Sequence, residues 1–113
     1  MRAPTWLISS RRAIEIAVRG LDLVTYQANR LIRSSVEREF IIIGEAIAAL
    51  SRAAPETFEA ITHARRIVDF RNQLTHEYPT VDDAIVWAIV ETDVPVLRRE
   101  CATFLDSANG ERQ

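Results

Sequence analysis

The chain has 113 residues, 48% hydrophobic and 27% charged, with a formal net charge of −2, which fits one soluble domain with a modest core and excludes broad coating of nucleic acid. Its longest apolar stretch, Phe40-Ile41-Ile42-Ile43, is far short of the ~20 residues that cross a membrane. A single cysteine, Cys101, excludes an internal disulfide and offers no metal cluster.

The N-terminal Met1-Arg2-Ala3-Pro4-Thr5-Trp6 lacks the apolar run of a signal peptide, so a cytoplasmic location is expected. Helix-forming residues dominate, and no run alternates with period two as a strand would. A first helix is predicted from about Thr5 to Arg19, with Leu7, Ile14 and Val18 at helical spacing and Gly20 as its stop. A second, long helix runs from about Leu23 to Ala53, with an irregularity near Asn29, and ends at Pro55. A short turn of helix around Glu56–Thr62 leads to a third helix over Ala64–Glu77. Pro79 follows, Thr80 is the expected N-cap with Asp83 three residues on, and the fourth helix runs to about Asp106 with a kink at Pro95. The polar tail Ser107–Gln113 is expected to fray. The fold class is therefore all-α: an antiparallel up-and-down bundle of four main helices plus a short one. Residues 1–113 form one domain with its ordered core at about 5–106. Cys101 is expected as a small buried apolar residue.

The long helix is apolar on two faces. Val36, Phe40, Ile43, Ile47 and Leu50 step by four, three, four, three, and form the core stripe. Ile41, Ile42, Ala46 and Ala49 fall elsewhere and flank Glu45, which lies about 180° from Val36 at ~100° per residue. A second apolar face calls for a second partner, most simply another copy of the chain; the other reading is a helix buried all round within the monomer. Arg38, Ile41, Ile42 and Glu45 are the candidate interface residues, with Arg38 and Glu45 as an interfacial pair or as solvated rim charges.

The segment Arg71-Asn72-Gln73-Leu74-Thr75-His76-Glu77-Tyr78 carries one of only two histidines. Ile67, Phe70 and Leu74 share one face and anchor the third helix. Asn72 and His76, four apart, are neighbours on roughly the opposite face. His76 thus faces solvent or a partner, with Asn72 placed to orient one ring nitrogen. Arg71 lies at the edge between the faces, about 140° from His76 on an ideal helix. The two do not converge within one chain; two copies packed through this region can bring them into one cleft. Tyr78 precedes Pro79, which disfavours helical geometry there, so its hydroxyl sits at a turn; packing near Trp87 is the alternative.

All fourteen basic residues are arginine, a pattern that follows from GC-rich codon usage and also suits bidentate phosphate contact. With net charge −2, any RNA contact must be local; Arg65 and Arg66 are the candidates, with Arg11 and Arg12 beside them. His63 reads as a loop or helix-start residue outside the motif.

The pattern R-N-x-x-x-H-x-Y resembles the R-x4-H-x-Y signature of HepT-type toxins within the HEPN superfamily. A second block agrees: Glu39-Phe40-Ile41-Ile42-Ile43-Gly44-Glu45-Ala46 resembles that family's apolar run ending in I-G-E-A. Trp87 and Val94-Pro95-Val96-Leu97 are similar to its last helix, and the likeness spans roughly Ile14 to Leu105. A proline directly after the motif tyrosine departs from the pattern. The resemblance implies a homodimer with the two motifs facing each other at the interface. It implies a metal-independent endoribonuclease, with no cofactor, acting as the toxin of a toxin–antitoxin pair on RNA such as tRNA or mRNA. Its implied partner is a nucleotidyltransferase antitoxin of the MNT type that attaches AMP to Tyr78. Carried over residue by residue, Arg71 and His76 are the catalytic pair, Asn72 supports them and Glu45 is structural or interfacial. An imidazole titrates at ~6.5 in water and can move a proton at neutral pH; an arginine braces developing negative charge on a phosphoryl group. The implied product is a 2′,3′-cyclic phosphate. The alternative is a helical dimer of the same fold that binds a nucleotide or a partner without cleaving.

Overall fold

A computed structural model describes residues 5–76 and 81–111, and the side chains of residues 7–76 and 81–102. Among them are six helices and no strand: α1 Thr5–Val18, α2 Leu23–Ala28, α3 Arg30–Ala53, α4 Pro55–Ala60, α5 Ala64–His76 and α6 Asp83–Glu111. No helix among the described residues is long and apolar enough to cross a membrane.

α1 buries Leu7, Ser10 and Ile14, one turn apart on a single face, against α3 and α6. Gly20 ends it with φ 77°, a left-handed conformation that glycine adopts without a Cβ clash. The irregularity expected near Asn29 is a full break, and the residues explain it. Asp22 caps α2 by accepting from the Thr25 backbone N–H at 2.8 Å, while its own N–H donates to Thr25 Oγ1 at 2.9 Å. Asn29 is extended (φ −112°, ψ 98°); its N–H donates to the Tyr26 carbonyl, and its side chain accepts from Ile32 N–H at 3.0 Å. One asparagine thus closes α2 and opens α3.

α3 is the central helix, packed against α1, α2, α4 and α5. Val36, Phe40, Ile43 and Ile47 are buried as the stripe predicts, and Leu50 packs at its margin. The second face is partly covered within the chain. Ala46 is fully buried, so it belongs to the monomer core, while Ile41, Ile42 and Ala49 are half-buried. Arg38 and Glu45 are exposed. The large apolar side chains that stand clearly exposed among the described residues are others: Ile16, Val24, Leu31 and Ile85.

α5 turns Ala64, Ile67, Phe70 and Leu74 inward. The Phe70 ring meets Phe40 edge-on, with centroids 5.3 Å apart, a favourable arrangement of two ring quadrupoles. The expected cap Thr80 lies outside the described residues. Asp82 fills that role at α6, its carboxylate accepting from Ala84 N–H at 2.9 Å and its carbonyl from Ile85 and Val86. α6 passes through Pro95, which is exposed, and continues to Glu111, beyond the expected end at Asp106 and into the segment expected to fray. Val86, Val90, Val94, Leu97 and Cys101 form its buried stripe. Burial also pushes the Cys101 thiol up, as for a packed, unreactive cysteine. Trp87 stacks obliquely on buried Tyr26 at 5.2 Å.

Candidate active site

The two sequence blocks meet at one point. A Cβ built on Gly44 of α3 falls 2.3 Å from Arg71 Cβ and 2.6 Å from Arg71 Cγ on α5. Those separations leave no room for a side chain, so the glycine is what lets α3 and α5 cross closely and seats the Arg71 stem on bare backbone. Ile67 contributes its carbonyl, 3.5 Å from the same point. Arg71 is consequently half-buried, and its Nε is shielded with no hydrogen-bond partner among the described residues. A shielded N–H of a guanidinium left unpaired is costly, because the bonds it made to water are not replaced.

His76 is the last residue of α5 and is exposed, as helical rotation predicts. Asn72 is exposed one turn before it, and no hydrogen bond joins the two side chains. Thr75 Oγ1 donates instead to the carbonyls of Arg71 and Asn72, at 3.1 Å each, tying down the last turn. Arg71 and His76 stand on one helix with no direct contact, also as predicted. Tyr78 and Pro79 lie outside the described residues.

Arg66, a phosphate candidate from sequence, is committed elsewhere. Its Nε donates to Asp93 Oδ2 of α6 at 3.0 Å, and its terminal nitrogen to Oδ1. Asp93 is 1% exposed, and His63 Nε2 approaches the same carboxylate at 4.0 Å. His63 also starts α5, its carbonyl accepting from Ile67 N–H, which bears out the helix-start reading. Arg65 lies over the Phe58 ring at 5.4 Å, in cation–π range. The sequence alone did not single out Asp93; its place among the buried Val90, Val94 and Leu97 of α6 is the signal that could have. A groove of about 640 Å³ runs between α5 and α6, with Arg65, Arg66, Asp69, Gln73, Ile85 and Ile89 among its walls. Among the described residues no group of three or more His, Cys, Asp or Glu is placed to hold a metal.

The described residues form an all-helical bundle, and comparison with known proteins gives its family. The chain matches the HepT-like family, described as "Ribonuclease HepT-like", over residues 7–104, and it belongs to that family, within the HEPN superfamily. It is also similar to a protein of Methanocaldococcus jannaschii named "Putative RNase MJ1380", at 33% identity over 94 residues, 83% of this chain and 84% of the relative. No solved structure matches significantly.

Proposed function

We propose that this chain is a metal-independent endoribonuclease in which Arg71 and His76 perform the cleavage. The observation that carries the reading is the seat of Arg71: a cation packed against Gly44 with a shielded N–H that has no partner among the described residues, on the helix that ends in an exposed histidine. In RNA, His76 takes the proton of a 2′-hydroxyl, and that oxygen attacks the adjacent phosphorus. The bond from phosphorus to the 5′-oxygen breaks, and the 5′-oxygen leaves with a proton from imidazolium or solvent. Arg71 donates hydrogen bonds to the phosphoryl oxygens as their charge grows. The products are a 2′,3′-cyclic phosphate and a 5′-hydroxyl; DNA has no 2′-hydroxyl and is spared.

Because Arg71 and His76 diverge around α5, the working site takes one residue from each of two copies. Arg38, Ile41, Ile42 and Glu45 are the proposed contact residues; the half-burial of the two isoleucines makes this face narrower than a fully exposed stripe. The biological role is that of a toxin, with Tyr78 as the position where an MNT-type nucleotidyltransferase antitoxin adds AMP. A phosphodiester on Tyr78 adds charge and bulk two residues from His76, which repels RNA. The test is RNA cleavage in EDTA by the wild type and by His76→Ala. Cleavage by the wild type alone, leaving cyclic phosphate ends, is expected. Equal cleavage by both, or none by unmodified dimer, overturns the proposal.

A further inference from the structure

The groove between α1 and α6 collects positive charge in a chain whose net charge is −2. It opens about 420 Å³ and is lined by Arg11, Arg12, Arg19 and Arg98, with Glu15 and Ile16 between them. Four guanidinium groups line it beside a single carboxylate. Glu15 is held by Arg11 one turn away and by Arg98 of α6 at 3.5 Å, so it is already neutralised from two sides. Arg12 and Arg19 are exposed, with no ion pair among the described residues. The Arg11 side chain is only 11% exposed, and its Nε is shielded without a hydrogen-bond partner among the described residues. Like charges gathered this closely repel one another; an anion in the groove relieves the repulsion.

We propose that the α1–α6 groove is an anion-binding surface that holds the phosphodiester backbone of a single-stranded RNA, apart from the Arg71–His76 pair. This rests on the ribonuclease reading above. The planar fork of arginine matches phosphate oxygens two at a time. Arg12 on α1 and Arg19 in the turn just past its last residue, Val18, are seven residues apart, about 10 Å at the helical rise of ~1.5 Å per residue, which is the rise of about three nucleotides in a stacked strand at ~3.4 Å each. Ile16, 62% exposed between them, gives a ribose or a base an apolar surface. Such contacts position RNA without reading its sequence.

The test uses the full chain as His76→Ala, so that bound RNA stays intact, and follows anisotropy of a labelled single-stranded RNA across a series of salt concentrations. Adding Arg12→Gln and Arg19→Gln is expected to weaken binding about tenfold at low salt. It is also expected to flatten the plot of log affinity against log salt by about 1.4, at ~0.7 for each phosphate no longer neutralised. The same exchange at exposed Arg30 and Arg52 is expected to change both much less. Equal affinity and slope with and without Arg12 and Arg19, or no binding by either protein, overturns the inference. If the wild type cleaves RNA while these variants bind unchanged, the groove is refuted and the ribonuclease reading stands. If the wild type fails to cleave while the Arg12–Arg19 pair still governs binding, the reverse holds.

Discussion

Arg66 and Arg71 stand five residues apart on α5 and live in opposite circumstances. Arg66 reaches across to α6, where Asp93, almost wholly buried, accepts two of its N–H groups. Arg71 reaches across to α3, where bare glycine backbone receives its stem and its shielded Nε has no hydrogen-bond partner among the described residues. The first arginine neutralises a carboxylate that the core cannot otherwise hold. The second is a cation packed against a helix with a shielded N–H unpaired among the described residues, a state that costs stability and is retained at functional sites. The difference separates an arginine held in an ion pair from the one proposed for the chemistry, on the same helix.

The largest expected effects fall on the chemical side. Arg71→Gln is expected to slow RNA cleavage by about 10²–10³, the loss typical of one donor to developing charge. His76→Ala is expected to slow it by about 10²–10⁴, with stability changed by less than ~0.5 kcal/mol because the residue is exposed. Single-turnover assays with melting curves on the same samples check both. If Arg71→Gln unfolds the protein, the contrast with Arg66 collapses.

On the structural side, Arg66→Gln is expected to destabilise by about 2–3 kcal/mol. That is below the ~3–5 kcal/mol of a fully buried pair, because the Arg66 side chain is 52% exposed while Asp93 is not. Urea unfolding measures it. Gly44→Ala sharpens the comparison further, since its Cβ must displace the Arg71 stem. A cost of about 1–3 kcal/mol from overpacking is expected, together with a fall in cleavage that Arg66→Gln does not show.

The smallest effect concerns Glu37, whose carboxyl is raised above its ordinary 4.5 by burial and by nearby Asp83, against a lowering from Arg33. A raised folded-state pKa means that the folded chain holds this proton more tightly. The stability it contributes is present below the unfolded value and is lost as pH rises through the folded one. Glu37→Gln should therefore melt slightly above the wild type at neutral pH and lose that advantage in acid.

Much of this was legible in the sequence, for physical reasons that differ by element. The stripes Val36–Phe40–Ile43–Ile47 and Ile67–Phe70–Leu74 announce their helices because a 3.6-residue period needs no tertiary information. Rotation alone also put His76 away from the core. The break at Asn29 was only half visible, since an asparagine inside a helical pattern can either cap or face solvent. Ala46 was misplaced because its burial depends on how α3 is surrounded, which no period encodes. The two contacts that set the arginines apart were hidden for the same reason. Gly44 meets Arg71, and Arg66 meets Asp93, only once α3, α5 and α6 have taken their crossing positions.

The account stands most directly on one paired measurement: cleavage of RNA in EDTA and thermal melting, recorded on the same preparations of Arg66→Gln and Arg71→Gln. The expected result is that Arg71→Gln melts at or slightly above the wild type and cleaves about 10²–10³ more slowly, while Arg66→Gln melts lower and still cleaves below its transition. An Arg71→Gln protein that cleaves at the wild-type rate contradicts the account, as does an Arg66→Gln protein that is fully stable and inactive.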